Sequence, residues 1–224
     1  MTAEAPTRPP LSPWGDDTSS YVLGADLDGE TAAVHLPRTR GLIVTGPVGS
    51  GKTVAVRHLV DAALGFGHAV CIADPVLHGA EYWDVLSKAT DVAVNAKATA
   101  GLIEGIRAEL QNRVALLADA GATGIRQLEV QDQPQRILLV VDGYAHHLEV
   151  SSQVQELADE LVEHQDTGIL LVVTGHEIGG DVLEAGLANL TFVPRGEPGY
   201  AVFEPEPFVS YPIQLPPPSP PIDW

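Results

Sequence analysis

The sequence predicts an α/β fold in which a mostly parallel central sheet is covered by helices on both faces. Two observations carry this. The short apolar runs "GLIVTG", "HAVCIAD", "RILLVVD" and "GILLVVTG" lack polar alternation, the pattern of strands buried on both sides. Between them lie longer segments with apolar residues three and four apart, the period of a helix with one buried face. Strands alternating with helices build a parallel sheet, because each helix returns the chain to the end where the next strand starts. The 224 residues suit one domain, and a 45% apolar content is enough for its core.

Taken in order, residues 1–20 hold four prolines and few aliphatics and are expected to form a flexible arm. "YVLGADLDGETAAVHL" reads as a hairpin turning at Asp28-Gly29. "GLIVTG" is a central strand, and Thr53 to Leu64 is a helix that Gly65 is placed to end. "HAVCIAD" is the next strand and "DVAVNA" a shorter one. From Ala98 to Ala118, Leu102, Ile103, Ile106, Leu110, Val114 and Leu117 line one helical face, with Glu104/Arg107 and Glu109/Arg113 as surface pairs. "RILLVVD" follows as a strand. Ser152 and Gln155 form a capping box that opens a helix carrying Val154, Leu157, Ala158, Leu161 and Val162. "GILLVVTG" and "NLTFVP" are further strands, and "YAVFE" is an edge strand. The folded domain is therefore placed at residues 21–205. Residues 206–224 are expected as a proline-rich tail, extended over "QLPPPSPPIDW", that serves as a linker or as a strap docking through Trp224.

Thirty acidic against twelve basic residues give a formal charge of −18. That disfavours a broad surface for nonspecific phosphate binding, which needs clustered Lys and Arg, and it leaves room only for a narrow basic strip. It also disfavours docking on anionic membranes. No apolar run is long enough to span a bilayer and the first residues hold no signal core, so no membrane insertion and a cytoplasmic location are expected. Cys71, the single cysteine, excludes a disulfide framework and reads as a buried strand thiol. His58 and His68 read as solvent-side residues, and the histidines make no convincing zinc pairing.

"GPVGSGKT" fits the P-loop pattern of Gly, four residues, Gly, Lys and Ser/Thr. Its cradle comprises Gly46, Pro47, Val48, Gly49, Ser50, Gly51, Lys52, Thr53 and Val54. The glycines put no side chain between backbone amide and anion, so successive N–H groups can line a nest. The helix beginning near Lys52 adds the positive end of its dipole. Lys52 reaches the β- and γ-phosphates, and the Thr53 hydroxyl faces Mg²⁺. The expected ligand is ATP with Mg²⁺.

The metal also needs an acid at the carboxyl end of a parallel strand, where the crevice of the sheet opens. Asp142, after "RILLVV", fits that role and would hold Mg²⁺ through water; Asp74, at the end of "HAVCIAD", competes for it. The residue after Asp142 is Gly143, where a hydrolase would keep a carboxylate to activate water. Losing such a base costs about 10²–10⁴ in rate, which takes a typical turnover down to roughly 0.1–0.001 per second. Glu177 is the replacement candidate and completes a catalytic set with Lys52 and Asp142; His146 and His147 are others.

The order of these elements resembles the motor domain of FtsK/SpoIIIE-type ATPases, within the RecA-like P-loop NTPases. "LGADLDGETAAVHLPRTRGLIVTGPVGSGKTVAVRHLV" resembles that family's hairpin leading into its Walker A motif, "AVCIADPVLHGAEYW" its strand ending in Asp-Pro, and "LIEGIRAELQNRVALLADAGATGIRQL" its long helix with the following turn. "QRILLVVDGYAHHL" resembles its Walker B strand and "ELVEHQDTGILLVVTGHE" its sensor strand. The resemblance runs from Tyr21 to Phe203. It implies a three-layer sandwich, ATP and Mg²⁺, a homo-oligomer that is usually a hexameric ring, and movement of double-stranded DNA or, in secretion relatives, of protein. It also implies an Arg finger from the next subunit, for which Arg113, Arg136 and Arg195 are the candidates. The family's catalytic Glu falls on Gly143 and its sensor Gln on Gly175, after Thr174. Both departures strike hydrolysis and spare binding. They open a second reading, a hydrolysis-impaired assembly subunit that binds protein partners, in which Gly143→Glu should raise turnover. A small-molecule kinase, which would need an Arg-rich lid, is disfavoured.

Overall fold

The computed structural model describes residues 20–26, 28–35, 39–143, 148–164, 166–175, 187–192, 200–206 and 209–215. The expected arm (up to residue 19) and the end of the expected tail (from residue 216) lie outside them. The strands are β1 (Ser20–Asp26), β2 (Thr31–His35), β3 (Gly41–Thr45), β4 (Ala69–Ala73), β5 (Asp91–Ala93), β6 (Ile137–Val141), β7 (Ile169–Gly175), β8 (Ala188–Phe192), β9 (Tyr200–Glu206) and β10 (Val209–Gln214). The helices are α1 (Lys52–Gly65), α2 (Ala96–Ala120) and α3 (Leu148–Glu163).

The strands form one ten-stranded sheet in the order β2-β1-β10-β9-β8-β3-β7-β6-β4-β5. From β8 to β5 every neighbouring pair is parallel, and from β2 to β8 every pair is antiparallel. α1 connects β3 to β4, yet β7 and β6 lie between those two strands. The chain therefore jumps across the sheet after β3, and that jump opens the crevice over the strand ends.

Alternation along the parallel strands divides the core. Leu42, Val44, Val70, Ile72, Leu138, Val140 and Val172 pack on one face with Val56, Leu59 and Val60 of α1. Ile43, Cys71, Leu139, Val141, Leu171 and Val173 pack on the other with α2 and α3, through Ile103, Ile106, Leu110, Val154, Leu157 and Leu161. Each such fully buried aliphatic side chain contributes about 1.5–3 kcal/mol. The result is the expected three-layer sandwich. Cys71 is buried in its strand, and burial pushes its thiol up to about 11, away from reactive thiolate character. Among the described residues no helix is long and apolar enough to cross a membrane.

Several expected details differ. β9 is an interior strand, paired with β8 on one side and β10 on the other. β10 falls within the span assigned to the tail, and its Ile213 is fully buried. Pro212, which has no N–H to donate, lies outside the two registered pairs that join β10 to β1. α3 starts at Leu148, so Ser152 sits inside it and not at its cap; the apolar face reaches back to the buried Val150, and Gln155 bonds Asp159 at 2.9 Å. Gly65 is the last residue of α1, and the left-handed turn falls on Gly67 (φ 74°). Arg107 does not pair with Glu104. Its side of α2 faces α3, where it binds Glu156 at 2.8 Å and Glu160 at 3.0 Å. Arg113 and Glu109 pair at 2.8 Å as expected.

His68, expected in solvent, is buried, and its Nδ1 is 2.8 Å from the Tyr21 hydroxyl. His58 is half-buried, with a buried Nε2 that has no partner. Burial, and then the nearby Arg136 charge, push the His68 imidazole down to about 4. The unfolded chain takes up this proton near pH 6.5 and the folded chain only near 4, so the stability tied to neutral His68 is complete above about pH 6.5 and is lost as pH falls between those values. Urea unfolding at pH 7 and pH 4.5 should show a smaller acid loss in His68→Gln than in the wild type, by up to about 3 kcal/mol. A second expectation concerns Arg136, which is buried and held bidentate by Asp166, each N–O distance being 3.0 Å. Asp166→Ala leaves that guanidinium buried and unpaired, and should cost about 3–5 kcal/mol in guanidinium unfolding.

Candidate functional site

The parallel strands end near one another, β3 and β7 together and β6 and β4 two residues short of them. Thr45 pairs with Gly175, Val141 with Val173, and Ala73 with Val141. The residues that follow these ends, the turn after β3, Asp142 after β6 and Asp74 after β4, therefore gather at one edge. A cleft of about 640 Å³ opens there, lined among others by Gly49, Lys52, Thr53, Asp142 and Thr174.

The turn has the geometry that its glycines permit. Gly46 has φ 143°, and a Cβ on it would stand 2.6 Å from the Cβ of Phe192, at the end of β8. No other residue fits that position. Gly49 and Gly51 also have positive φ, at 74° and 106°. Gly51 caps α1 without a side-chain acceptor, and the first turn of α1 holds no acidic residue. The helix therefore presents its N–H groups, and the positive end of its dipole, to the cleft unneutralised. Lys52 folds back, its Nζ donating to the carbonyl oxygens of Gly46 and Pro47 at 2.8 Å each. Partial burial lowers its pKa below the ordinary lysine value, and the Asp142 charge opposes that shift. Ser50 keeps a buried hydroxyl without a partner.

Asp142 and Asp74 differ in their partners. Asp74 spends both oxygens on its own loop, accepting the Leu77 and Gly79 amides at 2.8 Å each. Asp142 is held by side chains from elsewhere. Its Oδ2 accepts the Tyr82 hydroxyl at 2.7 Å, and its Oδ1 accepts the Thr174 hydroxyl. The Thr174 oxygen in turn accepts the Gly143 amide at 3.0 Å. Because β7 lies between the β3 and β6 strands, Thr174 at its end can reach Asp142. Sequence reasoning did not find Tyr82 or the role of Thr174. Thr174 carried a faint signal, a hydroxyl at the end of an apolar strand, whereas Tyr82 carried none.

Two finger candidates are internal. Arg113 is buried, donating to the backbone carbonyls of Thr167 at 3.0 Å and Gln135 at 2.7 Å, and Arg136 is locked to Asp166. Both guanidiniums are occupied by partners within the chain. Arg195, Glu177, His146 and His147 lie outside the described residues.

No protein-family model matches the chain. In sequence it is 24% identical over 187 residues to the DNA translocase FtsK of Listeria monocytogenes, covering 75% of this chain. Two further proteins named DNA translocase FtsK are 26% and 25% identical. The chain is FtsK-like. It spans about a quarter of the length of these relatives, 25% of the Listeria protein. Among solved structures, the pCW3 conjugation coupling protein TcpA, in its monomer form with ATPγS, superposes with a TM-score of 0.74 at 18% identity, over 91% of this chain and 68% of its own. ATPases 2 and 3 of Thermomonospora curvata EccC, in complex with a signal sequence peptide, give 0.66 at 15% identity, over 89% and 41%. These likenesses establish the FtsK-like chain as a RecA-like P-loop α/β fold.

The residue after Asp142 now has a backbone reason. Gly143 has φ 70°, in the left-handed region, and its amide is used on Thr174. A glutamate there meets the steric cost of that region, about 1–2 kcal/mol. Gly143→Glu should therefore lower the chain's stability by that amount in chemical unfolding, and Gly143→Asn by less, because a short polar side chain tolerates this region.

Proposed function

We propose that the cleft binds ATP with Mg²⁺, and that the chain is the nucleotide-binding domain of an FtsK-like motor that translocates or handles double-stranded DNA. The observation that supports this most is the convergence of the glycine turn, Lys52 and Asp142 on one cleft at the strand ends. The residues present suit the metal. The Thr53 hydroxyl and the Asp142 carboxylate line the same cleft and are oxygen donors of the kind a hard divalent cation takes. Thr53 and Asp142 would hold the ion, Asp142 through water, and the ion would neutralise phosphate charge. The uncapped N–H groups at the start of α1 would take the phosphate oxygens, and Lys52 would leave the Gly46 and Pro47 carbonyls for the β- and γ-phosphates. The motor reading includes self-assembly into a ring, by analogy with the family, and a cytoplasmic location.

A second reading has a specific observation in its favour. Gly143 supplies no base, and Arg113 and Arg136 are committed to internal partners. A chain with these features could bind nucleotide, assemble through it and hydrolyse it slowly while contacting protein. The EccC neighbour, seen with a peptide, fits this reading.

ATP turnover with and without double-stranded DNA, at low salt, separates the two. Under the motor reading DNA raises turnover, and Lys52→Ala reduces it by about 10²-fold or more. Protein that neither binds double-stranded DNA nor changes its turnover overturns the motor reading. ATP-dependent oligomerisation without turnover supports the second.

A further inference from the structure

The geometry points to Tyr82 as the positioning residue of Asp142, and to Tyr82-Trp83-Asp84 as a relay that carries the state of the metal side of the cleft to the outer surface. This rests on the reading of the cleft as a magnesium-nucleotide site. Tyr82 is fully buried, and its hydroxyl donates to Asp142 Oδ2 at 2.7 Å. A buried phenol needs a hydrogen-bond partner, and a carboxylate is the acceptor that holds it hardest. With Thr174 on the other oxygen, the carboxylate is gripped from two sides, which fixes the lone pairs left for a metal-bound water.

The segment that delivers Tyr82 is itself built for position. Asp74 pins the amides of Leu77 and Gly79, and His78 Nδ1 lies 2.7 Å from the Val94 carbonyl oxygen. His78 (φ 55°) and Gly79 (φ 80°) are both in the left-handed region, and they turn the chain into the short 3-10 turn Ala80–Tyr82. His78 is the one described non-glycine residue with positive φ, a strained conformation that the surrounding bonds must sustain.

The next two residues extend the connection. Trp83 is 58% exposed, and Asp84 pairs with Arg57 of α1, the helix that grows out of the phosphate turn. Three consecutive residues thus touch the metal-side carboxylate, the surface and the phosphate-side helix. A shift of Asp142 on metal binding pulls on Tyr82, while a shift of α1 pulls on Asp84. Trp83, between them, moves with either.

The test uses the full chain carrying Trp14→Phe and Trp224→Phe, so that Trp83 is its one tryptophan. A fluorescent ATP analogue is titrated with and without Mg²⁺, and Trp83 emission is followed with unlabelled ATP. Tyr82→Phe keeps the ring in the core and removes only the hydroxyl. It is expected to leave metal-free nucleotide binding unchanged, to weaken the Mg²⁺-dependent tightening by about tenfold, and to abolish the Mg²⁺-dependent shift in Trp83 emission. Adding Tyr82→Phe to Asp142→Asn should then change nothing further, since both act through one contact. The proposal is overturned if Tyr82→Phe retains the full Mg²⁺ dependence, if it weakens binding equally with and without metal, or if its effect adds in full to that of Asp142→Asn. Absence of nucleotide binding by the parent chain, with or without Mg²⁺, would overturn the reading of the cleft and this proposal together, and so is distinct from those outcomes.

Discussion

The parallel ladder joining β3 to β7 and β7 to β6 is the constraint on which the rest of the structure depends. Its register sets Thr45 beside Gly175 and Val141 beside Val173, so β3 and β7 finish together and β6 ends two residues short of them, where Asp142 meets Thr174. A parallel pair cannot slip by one residue without turning its side chains to the opposite face. Here both faces are buried, by α1 on one side and by α2 and α3 on the other, so a slip would strand aliphatic side chains in the wrong core. The same burial that stabilises the sheet therefore fixes the edge at which the glycine turn, Asp142 and Thr174 meet.

At that edge the structure leaves some polar groups open and closes others. The start of α1 is left without a side-chain cap and without acidic residues, which is costly for a helix that binds nothing and suits one that faces an anion. Asp74 is closed, with both oxygens on backbone amides. Asp142 is held without being closed in this way, since its donors are two hydroxyls from distant parts of the chain. At the opposite end of the sheet, Tyr21, His68, Arg136 and Asp166 form a buried polar group that ties β1 to the region where β4 and β6 begin. Arg113 serves there too, bonding the carbonyls of Thr167 and Gln135. The chain has few basic residues, and Arg113 and Arg136 are spent on this internal work.

Legibility followed range. "GLIVTGPVGSGKT" showed strand, turn and helix start because each is dictated within a few residues, by apolar continuity, by glycine and by the hydroxyl that follows lysine. The long amphipathic helix was equally plain, and its Arg113–Glu109 pair formed as the spacing required. Arg107 shows where local reading stops. Spacing offers it Glu104, but α3 packs alongside and offers two glutamates that no sequence window contains. The misplaced start of α3 has the same origin. Ser152 and Gln155 satisfy a capping pattern, while the buried Val150 shows that packing extended the helix by a turn. β10 was hidden by Pro212 and the prolines that follow it in sequence, because an extended strand and an extended tail share backbone angles and differ only in whether a neighbour is present.

The sequence by itself determined the α/β class, the buried strands, the glycine turn and the carboxylates that follow two of the strands. All of these rest on local chemistry: apolar runs, glycine freedom and a carboxylate at a strand end. Only the tertiary structure decided that β7 is inserted between β3 and β6, that Tyr82 reaches Asp142 across sixty positions, that Arg113 and Arg136 are internal, and that Gly143 occupies the left-handed region. Those facts depend on which strands become neighbours, and strand order is set by the summed burial of two cores and not by any one segment.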